Sequence, residues 1–218
     1  MATIDFNTVP SGVTLNEERA QYLSDRAAET ATAFSRKIEK LQATALEARD
    51  KYSREADDII ASAASEDRAA ARAFAKKNAA NKAANIHRQL IASSEAERAA
   101  MLKGLQAYAA EAAAIQAVYT SPATMLGRVA LGEARRTHLM QQLEGAGPVE
   151  LETAARTAIM TGDMVLGAAI ATVIDRRPKD RRPFAVQALA ERMLGEVWKH
   201  MTAKLEGVQL AYKSAVAA

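Results

Sequence analysis

Residues 27–63, AAETATAFSRKIEKLQATALEARDKYSREADDIIASA, contain the pattern that decides the fold. Apolar side chains recur there at steps of three and four residues, with one additional four-residue step near Tyr52. This is the heptad spacing of a helix that packs along one seam, and the additional step is a stutter. The seam comprises Ala27, Ala31, Phe34, Ile38, Leu41, Ala45, Ala48, Tyr52, Ala56, Ile59 and Ala63. Its large members, expected to carry packing within the chain or between subunits, are Phe34, Ile38, Leu41, Tyr52 and Ile59.

The composition of the whole chain also favours helix. Alanine, which has the highest intrinsic helix propensity, supplies almost a quarter of the 218 residues, whereas aromatic residues supply 5%. No glycine or proline interrupts the chain between Gly12 and Gly104. Because alanine buries little apolar area, we expect partner surfaces to supply part of the burial that stabilises the fold.

The sequence divides into three regions. Residues 1–13, in which Ile4 and Phe6 alternate with polar residues, predict an extended arm that orders against a partner, or alternatively a frayed terminus. Residues 14–120 predict a long helical hairpin or rod, which starts at a capping box formed by Thr14 and Glu17. Residues 121–218 predict a compact bundle, which starts with Ser121 as the N-cap and Pro122 at the first helical position.

Two positions in the long helical region are candidates for a break. Ser65, followed by Glu66 and Asp67, fits the start of a second helix and therefore favours an antiparallel hairpin over an uninterrupted rod. Ser94 and Glu97 fit a second capping box, which would divide that helix in two. Both breaks are compatible with the sequence.

Shorter helices are predicted in the last region, at about 122–143, 148–161, 164–175 and 183–213. The helix that Asp163 caps has no charge between its ends, which is typical of a buried central helix. The fold class is therefore all-α: a long, coiled-coil-like antiparallel hairpin followed by a compact multi-helix bundle.

The densest charge cluster, residues 176–182, reads RRPKDRR and stands before Pro183. Guanidinium groups suit carboxylates of a protein partner or phosphates of a nucleic acid, whereas a solvated connector is the simplest interpretation. No aromatic interleaving or nucleic-acid-binding motif accompanies the cluster. The residues expected to dock an acidic partner are Arg176, Arg177, Lys179, Arg181 and Arg182.

The sequence contains no recognised chemical signature. Its lack of cysteine excludes disulfides and thiolate chemistry, and His87, His138 and His200 stand apart from any metal-ligand spacing. No nucleophile elbow, phosphate loop or dinucleotide fingerprint is present. We therefore expect no enzyme activity, catalytic residue, cofactor or metal.

Neither a signal peptide nor a transmembrane helix is expected. The first residues lack the basic and apolar segments of a secretory signal, and the apolar stretch Met164–Ile174 is shorter than the ~20 residues that span a bilayer. The net charge of +3 is weakly basic. A cytoplasmic location is expected unless the chain belongs to a virus particle.

The chain resembles helical structural proteins of tailed-bacteriophage particles. The resemblance rests on the short arm, the alanine-rich helices, the segment Thr161-Gly162-Asp163 and the loop before Pro183. It implies a multi-copy virion component of the head, the tail or the portal region, packed against itself and other virion proteins. It identifies no functional residue.

The leading expectation is therefore a homo-oligomeric structural or assembly protein that acts through helix–helix contacts. A nucleic-acid-associated packaging or scaffolding protein is the alternative. A membrane-active helical protein or an ejected channel component is the second alternative.

Overall fold

The computed structural model describes residues 17–64 and 67–218. Within these ranges the chain forms seven α-helices and no β-strand, which confirms the all-α prediction. In order they are α1 Glu17–Ser62, α2 Arg68–Val118, α3 Pro122–Arg128, α4 Ala134–Glu144, α5 Pro148–Thr161, α6 Met164–Asp175 and α7 Val186–Ala217. The predicted arm at 1–13 and the predicted caps at Thr14 and Ser65 lie outside the described residues.

Helices α1 and α2 pack against each other, which confirms the hairpin and excludes the uninterrupted rod. Cross-helix pairs fix the antiparallel register: Lys37 pairs with Glu97, and Lys82 Nζ lies 3.5 Å from Glu55 Oε2. The predicted division at Ser94 is wrong. Helix α2 continues through this residue, whose hydroxyl donates to the Ile91 carbonyl at 3.1 Å, while Glu97 binds Lys37 instead of closing a capping box.

The chain folds as two compact units, described separately below. The bundle unit comprises residues 17–25 and 109–209, and the hairpin unit comprises residues 26–64, 67–108 and 210–218. These units do not follow the predicted boundary between 120 and 121. Helices α1, α2 and α7 each contribute residues to both units.

In the hairpin unit the predicted seam is buried to different degrees along α1. Phe34 is 2% exposed, and Ile38, Leu41 and Tyr52 are partly buried. Ile59 departs from the prediction because its side chain is 51% exposed. After the stutter the stripe continues from Tyr52 in four-residue steps through Ala56 to the partly buried Ile60, so Ile59 falls outside it.

In the bundle unit α6 is the central helix, as its lack of internal charge predicts. Its residues from Gly167 to Ile174 are buried except for the partly exposed Thr172. A Cβ added to Gly167 would lie 2.5 Å from Met193 Sδ, so the glycine allows close packing against α7. The surrounding core comprises Leu126, Leu151, Ala155, Ala158, Ala168, Ile170, Ala171, Val173, Ile174, Val186, Leu189, Ala190 and Leu194.

Local signals place several helix ends of the bundle unit correctly. The Ser121 hydroxyl accepts from the Thr124 amide at 3.2 Å, and Asp163 Oδ1 accepts from the Leu166 amide at 3.0 Å. The C-cap Gly162 adopts the left-handed conformation, with φ of 65°. Pro183 precedes the start of α7 by three residues, so the last helix begins later than predicted.

The helix predicted from 122 to 143 is in fact two helices, α3 and α4. The turn between them contains Ala130 at φ of 52° and Gly132 at φ of 84°. Residues 121–218 therefore form five helices where four were predicted. The interruption exposes the C-terminal carbonyls of α3, and Arg136 of α4 binds two carbonyls there, as described below.

Two glycines of the bundle unit provide a test of this backbone geometry. Gly207 lies inside α7, and an added Cβ would meet no atom within 4 Å. We expect Gly207→Ala to raise the free energy of unfolding by up to about 1 kcal/mol through helix propensity. We expect Gly162→Ala to lower it by about 1 kcal/mol, because alanine is strained in the left-handed conformation.

The measurement is thermal and urea unfolding followed by circular dichroism. The two variants make the same chemical change in the same unit, so each controls for the other. A shift in the same direction for both would contradict the assigned helix ends.

Candidate functional site

The predicted basic loop joins α6 to α7 and includes a 3-10 turn at Lys179–Arg181. Two of its arginines bind backbone groups. Arg177 Nη2 donates to the Ala146 carbonyl at 2.7 Å, and Arg182 Nη2 donates to the Asp175 carbonyl at 2.8 Å. Arg182 also contacts the Asp175 carboxylate, with Nη1 to Oδ1 at 3.1 Å. These two cations therefore secure the C-terminus of α6 and the turn before α5.

The remaining three cations of the loop point to solvent. Arg176, Lys179 and Arg181 are exposed, and their side chains make no hydrogen bond or ion pair with any residue that the structure describes. We call these three residues the loop triad. The exposed Asp180 stands among them, so the triad region carries a net charge of +2. Three cations are thus available to an anionic partner, whereas the sequence predicted five.

Arg136 is a buried arginine that the sequence analysis did not single out. Its side chain is 5% exposed and donates to the carbonyls of Gly127, at 2.9 Å, and Val129. It also donates to Thr172 Oγ1 of α6 at 2.8 Å. Burial lowers the pKa of Arg136, and the nearby positive charge of Arg176 acts in the same direction.

The position of Arg136 indicates a structural role. Its guanidinium lies at the C-terminus of α3, where the helix dipole favours a cation, and it joins α3, α4 and α6. No sequence signal distinguishes it from the neighbouring Arg135, which is exposed and binds the Asp163 carboxylate.

Helices α1 and α2 expose four large apolar side chains within the hairpin unit. Leu46 is 50% exposed, Ile59 51%, Phe74 67% and Ile91 42%. The register fixed by the ion pairs places Leu46 level with Ile91, and Ile59 level with Phe74. Apolar residues at matching levels of two helices form patches, which are typical of interaction surfaces.

The patch at Leu46 lies beside an open groove of about 460 Å³ on one face of the hairpin unit. Four residues of α1 and three residues of α2 line this groove. They are Gln42, Ala45, Leu46, Arg49, Ala83, Ala84 and His87. Three of these seven residues are alanines, which leave room for the side chains of another helix.

Helix α2 also carries a charge asymmetry that sequence reasoning missed, although the sequence displays it. Residues 68–94 contain six arginines or lysines and no aspartate or glutamate. The balance of charge over the first 121 residues conceals this segment, because α1 is acidic near its C-terminal end. We call residues 68–94 the basic segment.

In the described ranges no group of three or more histidine, aspartate or glutamate residues is arranged to hold a metal ion. None of the helices in those ranges has the length and apolar character that crossing a membrane requires.

No protein-family model, curated protein or solved structure matches this chain.

The buried arginine gives a stability prediction. Arg136→Met would leave the acceptors of Gly127, Val129 and Thr172 without their donor, and we expect the free energy of unfolding to fall by about 2 kcal/mol. Arg135→Met removes an exposed charge from the next position, and we expect a loss below about 1 kcal/mol. Urea denaturation of both variants measures the difference. Equal losses of unfolding free energy would show that the buried contacts of Arg136 stabilise the fold no more than the exposed ion pair of Arg135.

Proposed function

We propose that this chain is a structural or assembly protein that acts through helix–helix contacts of its hairpin unit. The carrying observation is the exposure of Leu46, Ile59, Phe74 and Ile91 on that unit. A pair of helices can cover only the apolar stripe that faces its partner helix, so apolar residues beside the stripe need another surface. A partner that binds only the folded form would also stabilise this alanine-rich unit.

The specific setting we propose is a tailed-bacteriophage particle. The support is the resemblance of the alanine-rich helices and the loop before Pro183 to structural proteins of such particles. In that setting the chain is present in many copies and packs against itself and against other proteins of the head, tail or portal region. Self-association is the simplest use of a surface that every copy presents.

The loop triad is the proposed contact with an acidic partner. Its three side chains are exposed and keep their charges free of internal pairing with the described residues. Arg177 and Arg182 support this surface from within, because their guanidinium groups bind the backbone that shapes the loop.

A nucleic-acid-associated packaging or scaffolding role is the second candidate. The specific observation in its favour is the basic segment, whose six cations on one helix would attract a polyphosphate backbone. The neighbouring acidic residues of α1 oppose that attraction. We therefore rank this role below assembly through protein contacts.

The leading proposal predicts concentration-dependent association of the pure chain. We expect the combined variant Leu46→Gln, Ile59→Gln, Phe74→Gln and Ile91→Gln to associate less while keeping its helix content, because these side chains are already exposed. Sedimentation velocity and circular dichroism measure the two properties. The matched control is Val149→Gln with Met160→Gln, which removes exposed apolar side chains from the bundle unit.

Particle composition tests the setting. Mass spectrometry of phage particles purified from cells that produce this chain should detect it in many copies per particle. Its absence from intact particles would exclude a virion component, even if the pure chain associates.

The second candidate predicts salt-sensitive binding to duplex DNA. We expect Lys76→Ala with Lys77→Ala to weaken binding and to reduce its salt dependence, because each phosphate contact releases counterions. Fluorescence anisotropy over a salt series measures both properties. The combined variant Arg176→Ala, Lys179→Ala and Arg181→Ala, measured in the same way, tests the loop triad. If neither set of variants affects DNA binding, or if the chain does not bind duplex DNA, the nucleic-acid-associated role is excluded.

A further inference from the structure

We draw no further inference here: the strongest candidate, the open groove between α1 and α2 beside Leu46 in the hairpin unit, belongs to the surface already described, and nothing in the structure shows what covers it.

Discussion

The contact between α1 and α2 depends on small side chains. In the hairpin unit Ala27, Ala56 and Ala75 are buried, and they allow the two helices to approach closely. Each buries much less apolar area than leucine would, so the pair gains little from its own seam. This constraint explains why large apolar residues beside the seam are important: they offer the burial that the seam cannot provide.

The bundle unit uses a different balance of residues. Leu126, Leu151, Ile170 and Ile174 are fully buried around the central helix, and Gly167 allows α7 to pack close to it. The polar contribution comes from arginines that bind backbone carbonyls at chain reversals, namely Arg136, Arg177 and Arg182. Arg136 and Arg182 bind carbonyls at the C-terminal ends of α3 and α6, where the helix dipole favours a cation.

Local sequence signals predicted much of the fold because their physics is local. Ser121, Gly162 and Asp163 mark helix ends through bonds or backbone angles that involve only residues nearby in the chain. The heptad spacing predicted the packing seam of α1, the sequence around Ser65 favoured the hairpin over a rod, and the apolar content of α6 predicted its burial. Ile59 was misplaced because the stripe shifts by one position after the stutter, and a one-residue shift is hard to detect where two isoleucines are adjacent.

Features that depend on distant residues were not predictable. The separation of α3 from α4 involves Arg136, whose acceptors include Thr172, far along the chain. The basic loop illustrates the same limit: its composition is evident, yet only the folded chain shows that Arg177 and Arg182 bind backbone groups while the loop triad faces solvent. The alignment of Leu46 with Ile91 depends on the register between α1 and α2, which no single segment encodes.

The stutter at Tyr52 has a consequence for surface shape. Regular heptads wind two helices into a left-handed superhelix with a pitch of about 150 Å, so a face roughly 30 Å long would rotate by about 70° from one end to the other. A four-residue insertion unwinds this superhelix locally. The surface near Tyr52 is therefore straighter than a continuous heptad repeat would make it, which favours contact along its whole length over contact at one crossing point.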